Sequence, residues 1–185
     1  MKKQVTSRED ILAVSRELIR SQGWTAVNIR AVAAASGIAV GSIYNYFESK
    51  AELAEATVES VWLEIFHLPE DESVFRDIQA CILWMYKRME QGSRDYPGLF
   101  SLHSMSFVSD EVEGGRAVMH RTWEHIRRGL CLVLSRDSHI RPNAFDDNFT
   151  SEKFAGILFS LLLSALLQGD FEPRTVLELT KRVLY

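Results

Sequence analysis

Apolar residues recur at steps of three and four along most of the chain, and this period predicts helices almost from end to end. Ile11, Leu12, Leu18 and Ile19 share one face of a first helix, which Thr6 and Glu9 would open as a capping box and Gly23 would stop. A second, shorter helix starts at Asn28, an N-cap type, carries Ile29, Val32 and Ala33 inward, and ends at Gly37. A third is predicted over Val40 to Phe47. A fourth opens on a second capping box, Ser49 to Glu52, and runs to about His67, with Leu53, Val58, Val61, Trp62, Ile65 and Phe66 inward.

Further helices are predicted over about 73–91, 97–107, 110–136, 152–168 and 173–185. In the third of these, Met119, Trp123, Ile126, Leu130 and Val133 alternate steps of four and three. Pro69, Pro97, Pro142 and Pro173 all fall between helical patterns or at a helix start. Residues 137–150 have no apolar period and read as a mobile loop. No alternating β pattern stands out, so the fold class is all-α.

Composition narrows the class. At 185 residues and 46% hydrophobic content the chain has enough apolar surface for a real core. No N-terminal stretch reads as a signal peptide. The longest apolar run, Phe154 to Leu167, is interrupted by Gly156, Ser160 and Ser164 and is too short to span a bilayer. Cys81 and Cys131 sit in apolar helical patterns, as thiols of a reducing compartment do. A cytoplasmic protein with no membrane partner is expected.

The net charge of −4 hides a split. Residues 1–50 carry seven basic residues against four acidic ones, and the rest carries 14 against 21. A basic end and an acidic remainder suit a nucleic-acid face at the N-terminus.

The stretch from Ala31 to Lys50, AVAAASGIAVGSIYNYFESK, bears on function most directly. Ala33, Ala34 and Ala35 let two helices approach closely, Gly37 suits the left-handed conformation of a tight turn, and Ile38 and Ile43 supply contacts that fix the angle. The second helix then presents Val40, Gly41, Ser42, Tyr44, Asn45 and Tyr46 outward. Small groups near its start, hydroxyls for phosphates and an amide for base edges suit entry into a major groove. By these features alone a plain helical hairpin with surface tyrosines fits as well.

Residues 11–53 resemble the N-terminal domain of the TetR/AcrR family of transcriptional regulators. The resemblance lies in Ile11-Leu12, Ala13, Leu18, Gly23, Val32-Ala33, Gly37-Ile38, Gly41-Ser42-Ile43-Tyr44, Phe47, Lys50 and Leu53. It implies a helix-turn-helix DNA-binding domain over residues 1–50 and a helical regulatory and dimerisation domain over 51–185. It implies that Tyr44 and Tyr46 contact phosphate, that Lys50 pairs with the DNA backbone, that Gly41 and Ser42 meet the groove, that Asn28 takes the hydroxyl or cap position at the start of the second helix and belongs with them to the DNA-binding set, and that Phe47 is core. Two positions depart from the pattern. Ala39 stands where a serine cap is usual, and Val40 replaces a commonly polar residue, which favours contact with a thymine methyl.

The resemblance also implies a small apolar or aromatic ligand in the C-terminal part, where Trp62, Phe66, Trp84, Phe100, Phe107, Met119 and Trp123 are candidates for its walls. Taken singly, each fits an ordinary core position better than a pocket wall. His103 interrupts an apolar stretch and is the polar candidate. A homodimer is expected through residues 152–185, since Phe154–Leu167 is apolar on nearly all sides and Gly156, Ser160 and Ser164 form a smooth stripe. The expected function is a repressor that a ligand releases from a palindromic operator. A regulator without a ligand, or a helical dimerisation protein that binds no DNA, are the alternatives. No metal-ligand spacing, phosphate loop or nucleophile motif occurs, so no enzyme, metal or cofactor is expected.

Overall fold

The computed structural model describes residues 7–67, 75–100 and 113–185, with side chains from residue 122 onward in the last of these. Among the described residues there are eight α-helices and no strand: α1 Arg8–Gln22, α2 Ile29–Ser36, α3 Val40–Ile43, α4 Lys50–Ile65, α5 Ile78–Asp95, α6 Glu113–Arg136, α7 Ser151–Gln168 and α8 Arg174–Leu184. They fall into two compact units, Met1–Ile65 with Gly92–Thr122, and Phe66–Gln91 with Trp123–Tyr185.

In the first unit α1 packs on both α2 and α4, and α2 packs on α3. Ile11, Leu12, Val32, Ile43, Phe47 and Leu53 form its core, each nearly or wholly buried. The α1 cap lies one residue later than the Thr6–Glu9 box: Ser7 Oγ accepts the Asp10 amide at 3.1 Å. Ser7 and Asp10 can open a helix as Thr6 and Glu9 can, so the pattern alone left two adjacent starts. Gly23 ends α1 at φ 82°, and a single 3-10 turn, Trp24–Ala26, leads to α2. The turn at residues 96–100 docks here, with the Trp24 amide donating to the Pro97 carbonyl at 3.1 Å. Residues 97–100 therefore form a turn rather than the start of the expected helix over 97–107, of which residues 101–107 lie outside the described residues. Pro97 disfavours the helical conformation at Tyr96, which ends α5 at Asp95.

The second unit is built from the larger part of α5, the rest of α6, α7 and α8. Among its described residues, the void bordered by Met85, Tyr86, Leu130, Leu158 and Leu162 is about 10 Å³. Cys81 is buried in this unit, and burial, then the charge of Asp77, pushes its thiol up to about 12. At 18 residues α7 is long and apolar enough to cross a membrane by length and composition. Phe154, Ala155, Leu158, Phe159, Leu162, Ala165 and Leu166 are nonetheless buried in the protein, which is the packing of a core helix.

Residues 137–150 are irregular, as expected, but they are tied down rather than loose. Phe145 and Phe149 stack at 5.9 Å and both meet Phe154. Asp146 Oδ1 accepts the amides of Asn148 and Phe149 at 2.8 and 2.7 Å. The Arg141 amide donates to the Leu184 carbonyl at 2.8 Å. An aromatic cluster spanning a turn has no helical period, which is why the pattern reading missed it.

Candidate nucleic-acid interface

The candidate interface comprises two short helices and the turn between them. Asn28 Oδ1 accepts the Ala31 amide at 3.0 Å and so starts α2 as a capping residue. At the other end Gly37 takes φ 71° and ψ 27°, and the Ile38 amide reaches back to the Ala33 carbonyl at 3.1 Å. These bonds satisfy the last carbonyls of α2 and require a left-handed residue, which glycine adopts without strain. Ile38 packs against the core and Ile43 is fully buried within it, so both apolar residues anchor the turn as anticipated.

The second helix is shorter than the predicted Val40 to Phe47. Regular α-helix covers Val40–Ile43, and the chain continues through hydrogen-bonded turns, with the Tyr46 and Phe47 amides both donating to the Ile43 carbonyl at 3.0 Å. The physical reason lies in the residues. Ala39 offers no side-chain cap, and Val40, Gly41 and Ile43 are all weak helix formers. Burial of Ile43 and Phe47 holds the segment instead.

Outward from this anchor, Val40 is 43% and Tyr44 52% exposed, large values for apolar and aromatic side chains. Gly41, Asn45, Lys50 and Asn28 are also exposed. Ser42 and Tyr46 are half-buried, Tyr46 against the core cluster, so less of Tyr46 is accessible than of Tyr44. Gly41 is not a left-handed glycine, and a Cβ added there would meet nothing within 4 Å. The fold does not need a glycine at that position. Its absent side chain leaves room for an approaching surface.

Two arginines at this end escaped the sequence reading. Arg30 is exposed at the second position of α2. Arg8 pairs with Glu52 at 3.0 Å and lies over the Phe47 ring at 4.6 Å, which ties α1 to the start of α4. Ser49 caps α4, its Oγ accepting the Glu52 amide at 3.0 Å, while the Glu52 side chain accepts from the Glu48 amide, one residue before the cap. The proximity of Arg30 to the Asn28 cap was a usable signal. Arg8 lies 44 residues from its partner and had none.

The aromatic candidates are divided between the two units. In the first, Trp62 is fully buried edge-on to Phe100 at 5.6 Å. In the second, Phe66 and Phe75 both meet Trp84, at 6.0 and 5.6 Å, and Trp123 meets Phe159 at 5.7 Å. His103, Phe107 and the side chain of Met119 lie outside the described residues. Among the described residues there is no cluster of three or more His, Cys, Asp or Glu suited to a metal.

Comparison with known proteins bears on this arrangement. Residues 11–57 match the family model described as bacterial regulatory proteins, tetR family. No curated protein matches the chain in sequence. Among solved structures the chain is similar to the reduced form of NemR from E. coli, with TM-score 0.67, 23% identity and 96% of each chain covered. It is also similar to a putative tetR transcriptional regulator from Streptomyces avermitilis, with TM-score 0.62 and 20% identity over 90% of this chain and 87% of that one. A TetR transcriptional regulator from Legionella pneumophila gives TM-score 0.59 and 21% identity over 99% and 100%. At these identities the likeness is one of fold.

Proposed function

From the match of residues 11–57 to the model of the tetR family of bacterial regulatory proteins, we propose that the chain is a homodimeric repressor which a small apolar ligand releases from a palindromic operator. The observation that carries the DNA contact is the exposed segment Val40–Asn45, anchored by buried Ile43 and carrying a glycine that its own packing does not require. On this reading Val40 and Asn45 read bases, Gly41 and Ser42 line the groove, and Tyr44, Tyr46 and Lys50 hold phosphates, with Asn28 positioning α2. DNA binding resides in residues 1–50, regulation and dimerisation in 51–185, and the protein acts in the cytoplasm.

Dimerisation uses α7 and α8, where Ile157, Leu167 and Leu179 are each more than 40% exposed. A twofold dimer presents its recognition segments about 34–36 Å apart or more, so each reads one half-site. The ligand acts through α4, which begins at Lys50 beside the DNA and ends at Ile65.

Selection of bound sequences from random DNA tests this reading. An enriched inverted repeat is the expected outcome. Recovery of no preferred sequence at physiological salt overturns it.

A further inference from the structure

The outer face of α5 carries a groove that the DNA contact does not use. Leu83, Trp84 and Lys87 border it, and Phe171 and Pro173, from the turn between α7 and α8, also line it. Its volume is about 530 Å³, inside the range of about 300–1,000 Å³ common for small-molecule sites. The void among Met85, Leu130 and Leu162 in the same unit, at about 10 Å³, has no room for a ring. Leu83 is 49% exposed, an uncovered apolar side chain beside an aromatic one. Edge contacts from Phe66 and Phe75 hold the Trp84 ring in place, so that wall is pre-formed.

Charge at the groove selects the class of occupant. Of the three charged residues that line it, Arg76 is paired with Asp77 at 3.0 Å, and Glu90 is not free either. Lys87 has no ion-pair partner among the described residues. An apolar floor with one unpaired ammonium suits a molecule with a flat apolar body and one negative charge, placed at Lys87 and away from Glu90 and from Asp170, whose charge reaches Tyr86 in the same lining.

We propose that this groove is the effector site of the regulator and takes a two- or three-ring aromatic carboxylate, its rings against Trp84, Leu83 and Phe171 and its carboxylate on Lys87. The inference rests on the ligand-released repressor reading and supplies the place and chemistry that reading lacks. Trp84 touches Phe66, and Phe66 directly follows the last residue of α4. An occupant seated against Trp84 therefore bears, through Phe66, on the end of the helix that Lys50 begins.

The test titrates the full chain by calorimetry with 2-naphthoate and 4-phenylbenzoate, and with their neutral amides. Lys87→Met keeps the stem and removes the charge, and Leu83→Glu places a carboxylate at an exposed position of the groove. The carboxylates should bind once per chain and more tightly than the amides. Lys87→Met should weaken the carboxylates by about fivefold, the scale of an exposed ion pair, and leave the amides unchanged, while Leu83→Glu should abolish both. Equal affinity for acid and amide, no binding of either, or no effect of Lys87→Met overturns the site. Operator affinity measured on the same proteins separates the two readings. If the carboxylates bind as described and leave operator affinity unchanged, the groove is not the effector site. If the ligand-free protein fails to bind any operator, the repressor reading falls on its own.

Discussion

The Tyr96 hydroxyl donates to Glu64 Oε1 at 2.8 Å, and this one carboxylate gathers the α1 arginines as well. Arg16 Nε lies 2.8 Å from its other oxygen, and Arg20 pairs with it while its guanidinium sits over the Tyr96 ring at 4.9 Å. Helix α1, the end of α4 and the turn after α5 are thereby joined by polar contacts on top of their apolar packing. Burial, then the bond to and charge of Glu64, hold the Tyr96 phenol well above its ordinary value.

Replacing Tyr96 with Phe should cost about 1 kcal/mol, read as a lower urea midpoint. The pH dependence has a definite sign. A phenol whose native value is raised contributes stability that is complete below about pH 10, where the unfolded chain begins to ionise, and is lost as pH rises further. Stability of the wild type should therefore fall above pH 10, and less steeply in Tyr96→Phe. An unchanged alkaline limb would remove the Glu64 contact as its cause.

Asp137 makes the opposite prediction. Its buried carboxylate accepts the amides of Ile78 at 3.1 Å and His139 at 3.0 Å and the Tyr185 hydroxyl. Burial opposes its ionisation, but the Tyr185 hydroxyl and the two amides outweigh that and hold the carboxyl below its ordinary value. Its contribution is present above about pH 4 and lost as pH falls. Asp137→Ala should cost about 3 kcal/mol, since it strands buried donors, and should flatten the acid limb of a denaturation series.

Gly41→Ala separates folding from DNA contact. The added methyl meets open space, and alanine favours helix by about 1 kcal/mol over glycine. Thermal stability should stay level or rise, while operator affinity falls. If both stay level, nothing approaches Gly41 closely.

Lys50→Ala and Tyr44→Phe should weaken all DNA sequences nearly alike, with Lys50→Ala lowering the slope of log affinity against log salt by about 1. Changes at Val40 and Asn45 should shift sequence preference instead. Fluorescence anisotropy over a salt series, on operator and on random DNA, distinguishes the two kinds of residue.

Ile157→Glu or Leu167→Glu should turn a dimer into a monomer of 21.1 kDa without loss of helix, because both side chains are exposed in the single chain. Sedimentation of the wild type as a monomer at micromolar concentration would remove the dimer, and with it the reason for a palindrome.

The sequence by itself determined the local elements. A cap at Asn28, a left-handed glycine at Gly37 and buried Ile43 and Phe47 are features of near neighbours in the chain, and their chemistry shows in residue type and spacing. The all-helical class followed from the same short-range rules, whereas the helix-turn-helix reading came from the family resemblance of residues 11–53, since the spacing alone fits a plain helical hairpin as well. Only the tertiary structure decided what lies far apart in the chain. The meeting of Arg8 with Glu52, of Tyr96 with Glu64 and of Asp137 with Tyr185 spans 32 to 48 residues. Apolar periodicity shows which face of a helix is buried, but not which neighbour buries it. It marked Trp62 and Trp84 alike as aromatic positions, yet packing puts the first wholly in a core and the second at a groove. Helix α3 stops at Ile43 for a local reason, weak helix formers and no side-chain cap, while burial of Ile43 and Phe47 holds the turns that carry the chain onward.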